Sequence, residues 1–328
     1  MPYDVITFGE AMVRLSPPNF RRLEQTASLD VFVGGAELNT AVGVARLGNS
    51  AAWISRLTNN PLGRLIANRA REAGVSTEHV VWTEDDRVGV YFLEFGAAPR
   101  ASSVLYDRKG AAIAGIRPGQ VPWAKVFQGA KWFHVTGITP ALSTSAAETT
   151  REALQAARAA GIRTSIDLNY RIKLWSTDEA GKWMTDFMQY CDVLVTTEED
   201  IERVFKITGK DYEDVAAQVA KRFPLQIVAI TLRENPLVWK NTWTAIAYEQ
   251  GKVLRTKTYE VEIVDRLGAG DSFAAGLIHG LLENNLQKGL DFGVAASALK
   301  HSIPGDFNWI TRAEVESMLK GSGLRISR

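Results

Sequence analysis

Asp265-Arg266-Leu267-Gly268-Ala269-Gly270-Asp271 sets two carboxylates around a Gly-Ala-Gly turn, between a strand pattern at 259–264 and a helical pattern carrying Phe273, Leu277 and Leu281. The glycines let the backbone take positive φ and approach another group closely. Asp271 falls in the first turn of the helix. Free N–H groups at a helix N-terminus attract anions, phosphate above all. A carboxylate beside such a hole can take the proton of an alcohol while the hole, here Gly268, Ala269 and Gly270, stabilises the phosphoryl group under attack. Standing alone, the same pattern also describes an ordinary turn capped by Asp271. Two further clusters bear on the choice. Gly34-Gly35-x-x-x-Asn39 runs into an alanine-rich helix pattern, and Asp167-Leu-Asn169-Tyr-Arg171 lies at the carboxyl end of a strand pattern at 164–168.

The elements that must position these clusters alternate strand and helix. Strand patterns at 5–9, 51–56, 132–136, 164–168, 191–195 and 227–231 are separated by helix patterns at 39–47, 63–73, 145–160, 179–190, 198–205 and 215–223. That rhythm predicts an α/β fold with a central, mostly parallel sheet flanked by helices. In such sheets ligands bind beyond the carboxyl ends of the strands, where all three clusters fall. The rhythm breaks at 12–15, 29–33, 88–95 and 103–107, strand patterns with no helix between them, which predict a small inserted sheet formed by about 11–34 and 88–111. Residues 239–258 read as antiparallel additions, and helices at 272–283, 290–300 and 313–320 finish one domain over 1–328.

The 328 residues are 46% hydrophobic and 23% charged with a formal charge of +1, the balance of a soluble globular chain with no electrostatic footprint for nucleic acid or membrane. No apolar run is long enough to span a bilayer. The single cysteine, Cys191, is read as buried in the 191–195 strand, which fits a reducing, cytoplasmic setting. The four histidines lack metal-binding spacing. A dinucleotide-binding dehydrogenase is excluded, because the first strand ends Gly9-Glu-Ala-Met rather than in G-x-G-x-x-G.

With the 34–39 and 265–271 motifs in this order, the chain resembles the ribokinase-like (PfkB) carbohydrate kinases, over essentially its whole length. Within that family it is similar to the 2-keto-3-deoxygluconate kinases. The stretches that carry this are Gly34–Asn39, Tyr106-Asp-Arg108, Asp167–Arg171 followed by Leu174-Trp175, and Lys300-His-Ser-Ile-Pro-Gly-Asp-Phe-Asn308. The resemblance implies a ribokinase-like fold whose small sheet acts as a lid, and Asp271 as the base that deprotonates a primary hydroxyl, C6 of that substrate, for attack on ATP. It implies substrate contacts from Gly34, Gly35, Asn39 and Asp271, and Mg²⁺ on the nucleotide; a K⁺ requirement stays open. It also implies a homo-oligomer formed through the lid.

The substrate's carboxylate calls for a guanidinium, whose fork suits it. Arg108 and Arg171 are the candidates, with Tyr91 and Tyr106 adding hydroxyls and an apolar wall. Asp167, Asn169, Thr231, Arg233, Gly268 and Gly270 are the candidate nucleotide residues. Two features depart from the family pattern. Its N-x-x-E metal motif reads Thr197-Glu-Glu-Asp200, and the nucleotide loop after the 227–231 strand reads Thr231-Leu-Arg-Glu-Asn-Pro236 without a glycine, leaving Arg233 to supply charge. A kinase of fructose or ribose, or a sugar-acid binder that has lost phosphoryl transfer, are the alternatives.

Overall fold

The computed structural model describes residues 2–237 and 239–321, and only the backbone of 233–237. Strand β1 (Val5–Phe8) is followed by β2 (Met12–Ser16), β3 (Asp30–Gly34), helix α1 (Ala36–Arg46), β4 (Ala51–Ile54), β5 (Arg56–Thr58), α2 (Pro61–Glu72), β6 (Val75–Ser76) and β7 (Val81–Thr83). Next come β8 (Val90–Glu94), β9 (Ser103–Asp107), α3 (Trp123–Val126), β10 (Trp132–Thr136), α4 (Thr144–Ala159), β11 (Arg163–Asp167), α5 (Thr177–Phe187), β12 (Val193–Thr196), α6 (Glu198–Phe205) and α7 (Tyr212–Arg222). The chain continues through β13 (Ile227–Leu237), β14 (Lys240–Glu249), β15 (Lys252–Arg255), β16 (Tyr259–Glu262), α8 (Ala269–Leu282), α9 (Leu286–Lys300) and α10 (Arg312–Leu319).

The large sheet runs β15-β14-β13-β12-β11-β10-β1-β4-β6, with β16 also paired to β14. From β13 to β6 every pairing is parallel, and β14 turns the sheet antiparallel. Strands β1, β4, β10 and β12 are buried along their whole length, because helices cover both faces of the parallel part. A separate sheet, β3-β2-β8-β9, draws on two distant stretches. Its central pair, β2 and β8, is parallel and its outer pairs are antiparallel.

Two expectations change. The chain after Thr231 is not a loop: β13 continues to Leu237 against β14, so backbone that was to lie over a nucleotide is spent on ladder bonds. The side chain of Arg233 lies outside the described residues. Cys191 is buried just ahead of β12 rather than within it, and burial pushes its thiol pKa up. Among the described residues no helix is long and apolar enough to cross a membrane.

Helix α8 carries Asp271 and is buried along nearly all its length. Gly276 and Gly280 have α9 backbone where a side chain would stand, at Gly293 and Gly289. Bare helix surfaces let α8 and α9 pack backbone to backbone, which fixes the direction of the α8 N-terminus.

Candidate active site

Gly268 begins the site. Its φ of 82° is the left-handed value that a glycine takes without penalty, and the carbonyl of Asp306 lies where its Cβ would be. Gly268 ends the turn and caps α8, and Ser272 Oγ returns a hydrogen bond to its carbonyl at 2.7 Å. Gly270, already helical, has open space above it, so its missing side chain leaves room for a ligand. Asp265 stands behind the turn: Oδ1 accepts from Leu267 N at 3.0 Å and Oδ2 from Gly305 N at 2.9 Å.

Asp271 is 9% exposed and accepts from Asn39 Nδ2 at 2.7 Å. Burial pushes its pKa up to about 6; Asn39 and then Arg171 and Lys300 pull it down, while Asp306 pushes it up. A carboxylate with that pKa is mostly ionised at neutral pH yet basic enough to accept a proton.

Two cavities meet at this carboxylate. One, about 360 Å³, is lined by Asp167, Asn169, Thr197, Asp200, Thr231 and Gly268–Asp271 among others. The second, about 100 Å³, lies between the small sheet and the large one, and all of Gly34, Gly35, Asn39, Tyr91, Tyr106, Arg108, Arg171 and Asp271 line it. Asn169, Arg171, Leu267, Gly268 and Asp271 belong to both. Register explains the aromatic wall: Tyr91 faces Tyr106 directly across β8 and β9, so both share a face, 5.7 Å apart.

The candidate polar groups have unequal freedom. Arg108 is ion-paired with Glu10, a buried carboxylate just beyond β1. Arg171 is exposed and makes no ion pair or side-chain hydrogen bond among the described residues. The hydroxyl of Tyr91 is committed to Asp306, whereas Tyr106 is 40% exposed. Thr197 caps α6 by accepting from Asp200 N at 3.2 Å, so its hydroxyl is partly spent. Asp167 and Asp200 stand together at the ends of β11 and α6. Burial raises both their pKa values, and the charges of Asp271 and Asp200 raise that of Asp167 further.

Sequence reasoning passed over five residues. Glu10, Arg14 and Asp306 stood unassigned in or beside quoted stretches, and Lys300 opened one of them. Glu37 lies inside the Gly34–Asn39 motif. It is fully buried, and its Oε1 accepts from Thr136 N (3.1 Å), Thr136 Oγ1 (2.8 Å) and Thr139 Oγ1 (2.9 Å), pinning the start of α1 to the end of β10. The available signal was the single charge in the stretch 36–44, otherwise made of uncharged and mostly apolar residues.

Residues 3–308 match the model of the pfkB family carbohydrate kinases. The chain belongs to that family. This pfkB kinase is 39% identical over 329 residues to the 2-dehydro-3-deoxygalactonokinase of Haloferax volcanii, covering 100% of both chains. It is 31% identical to the 2-dehydro-3-deoxygluconokinase of Bacillus subtilis, over 97% of this chain and 96% of that one. The crystal structure of the 2-dehydro-3-deoxygluconokinase of Thermotoga maritima superposes with a TM-score of 0.94 at 44% identity, covering 97% of this chain and 99% of that one. The fold is ribokinase-like and the protein is a sugar kinase of the 2-dehydro-3-deoxygluconokinase type.

Proposed function

We propose that this kinase transfers the γ-phosphoryl group of ATP to the C6 hydroxyl of 2-keto-3-deoxygluconate (2-dehydro-3-deoxygluconate). The observation that carries the reading is the meeting of two cavities at Asp271, one lined by the candidate nucleotide residues Asp167, Asn169, Thr231, Gly268 and Gly270 and the other by both candidate arginines. Asp271 takes the hydroxyl proton, the C6 oxygen bonds to the γ-phosphorus, and ADP leaves. The amides from Gly268 to Gly270 hold the phosphoryl oxygens as charge shifts. Arg171, without a side-chain partner among the described residues, takes the substrate carboxylate, and Arg108 adds its remaining donors while Glu10 holds it in place. Gly34, Gly35, Asn39 and the tyrosines close round the sugar chain. The small sheet, formed by about 11–34 and 88–111, then acts as a lid that keeps water from the γ-phosphate.

Mg²⁺ bound with the nucleotide neutralises phosphate charge. Asp167 and Asp200, two carboxylates whose pKa values burial raises, fit a hydrated ion better than Thr197 does, and Mg²⁺ is commonly held by one or two carboxylates with substrate phosphates. The outer face of the lid supports a homo-oligomer: Leu105 is 61% and Val31 48% exposed there.

The test is ADP formation with ATP and Mg²⁺ on 2-keto-3-deoxygluconate, its galactonate epimer, gluconate, fructose and ribose, for the parent and Asp271→Asn. Turnover confined to the keto-deoxy acids and lost in the variant supports the reading. The name of the Haloferax relative makes the galactonate epimer the second arm. Preference for fructose or ribose would discard the arginine argument, and binding without turnover would discard catalysis.

A further inference from the structure

Behind the phosphoryl-binding turn lies a cluster of four buried charges. Arg14, on β2 of the small sheet, is fully buried and reaches two carboxylates from different segments. Its Nη1 donates to Asp306 Oδ2 at 2.8 Å, and Nη2 lies 2.7 Å from Asp265 Oδ2 in charge contact, off an N–H direction. Nε donates to Ser16 Oγ at 2.9 Å, and the guanidinium lies over the rings of Phe32 and Phe95 at 4.8 and 5.4 Å. Lys300, the last residue of α9, is the second cation. It too is fully buried, and its Nζ donates to the carbonyls of Ile303 at 2.9 Å and Asp265 at 3.4 Å.

Buried ion pairs are poor devices for stability, since well-packed apolar side chains often serve as well. What these charges hold is more telling. Asp265 ties the backbone of the turn at Leu267 to the loop at Gly305. Asp306 presses its carbonyl against Gly268 and its carboxylate against Gly34, and accepts the hydroxyl of Tyr91. The two anions therefore touch both walls of the acceptor cavity and the turn that leads into α8. Neither Arg14 nor Lys300 lines either cavity.

We infer that Arg14 and Lys300 are positioning residues for phosphoryl transfer: acting through Asp265 and Asp306, they hold the 265–270 turn and the small sheet in the one arrangement that aims the turn's amides at the transferred group. The inference rests on the reading that those amides hold the phosphoryl oxygens. Arg14 belongs to the small sheet and its two anions do not, so the pairing also links the arrangement of the turn to the seating of that sheet.

The test uses the full chain with Arg14→Lys, Lys300→Met and the double substitution, measured by steady-state kinetics and thermal melting. Lysine keeps the charge of Arg14 but cannot span two carboxylates. In each folded single variant kcat should fall at least about tenfold, as when a preorganised donor is displaced, while KM for ATP and acceptor stays within about threefold. The double variant should lose little more than the worse single, because the residues act as one unit. A lower melting temperature with kcat intact would overturn the inference and leave a structural cluster. So would a loss confined to KM for the acceptor. If Arg14→Lys does not fold, Lys300→Met is judged alone by the same two results. The kinetics are read with whichever acceptor the parent phosphorylates, so a change of substrate sinks only the proposed substrate; a parent silent on every acceptor sinks both.

Discussion

Removing the Asn39 side chain should make this enzyme pH-sensitive in the neutral range. Asn39 Nδ2 donates to Asp271 Oδ2 at 2.7 Å and is the chief influence holding down a pKa that burial has pushed up to about 6. A hydrogen bond to a charged group contributes about 1.5–3 kcal/mol, so its loss moves the acid limb up by about one to two pH units. At pH 6 half of Asp271 is ionised in the parent. With the limb at roughly 7–8, Asn39→Ala should lose about 5- to 50-fold there through ionisation, about 2- to 10-fold at pH 7 and almost nothing at pH 9, on top of a pH-independent loss of its contact with the sugar chain. The assay is kcat/KM for the sugar acid from about pH 5 to 9.5, with the other charges facing Asp271 (Arg171, Lys300, Asp306 and Asp167) left in place. A loss of the same size at every pH would refute the reasoning: Asn39 would then act on the substrate alone and not also through the carboxylate. A limb unmoved from the parent's would remove Asp271 as the titrating base.

Arg171→Met should raise KM for the sugar acid by roughly 10- to 100-fold, the worth of a charged hydrogen-bonded contact, with melting unchanged because Arg171 is exposed and has no side-chain partner among the described residues; an unaltered KM would take the carboxylate elsewhere. Arg108→Met instead strands the buried Glu10 and should destabilise the fold by about 3–5 kcal/mol, with Glu10→Gln in the same chain recovering much of it; full stability of the single variant in urea would refute the pairing. Burial pushes the Glu37 pKa up from 4.5 to about 7. A raised folded-state value means that its contribution is complete below the unfolded pKa and is lost as pH climbs through the folded one, a span of about 3 kcal/mol. Glu37→Gln should flatten that stretch of the stability curve, and parallel urea curves for parent and variant between pH 4.5 and 8 would sink the assignment. Gly268→Ala should lower both stability and kcat, since alanine at φ 82° meets the Asp306 carbonyl; at least about 1–2 kcal/mol is expected from the backbone alone, and a neutral result in thermal melting would count against the turn's geometry.

Local pattern made much of this fold legible. The 103–107 and 132–136 strands and the 198–205 helix stand where alternation and capping residues put them. The 12–15 and 29–33 runs betrayed the small sheet because no helix pattern separates them. Where the reading failed, pairing over distance had overridden local cues. Pro236 and Asn235 look like loop residues, yet β14 supplies a partner and draws β13 on to Leu237. The parallel pairing of β2 with β8 joins segments some 75 residues apart, and no local rule reports it. The candidate site was legible as residue types, since a carboxylate in a helix's first turn and a guanidinium at a strand end each announce a chemistry.

What residue types do not announce is which charges are already spent. Arg108 and Arg171 look alike in sequence, and both line the acceptor cavity. The structure separates them through a carboxylate 98 residues from Arg108, Glu10, which cancels most of one charge and leaves the other whole. At the range of a bound substrate a neutral pair attracts an anion weakly, while an unpaired guanidinium acts with full strength. On the proposed reading, the net attraction for a sugar acid therefore comes from Arg171, on the chain that follows β11 and lies between the two cavities. Arg108 contributes direction: it arrives with the small sheet, already oriented by Glu10, and adds donors without adding net charge. An acceptor lacking the carboxylate would forgo the first contribution and keep the second, so discrimination between sugar acids and neutral sugars should rest mainly on Arg171, and the arrangement of the small sheet mainly on the Glu10–Arg108 pair.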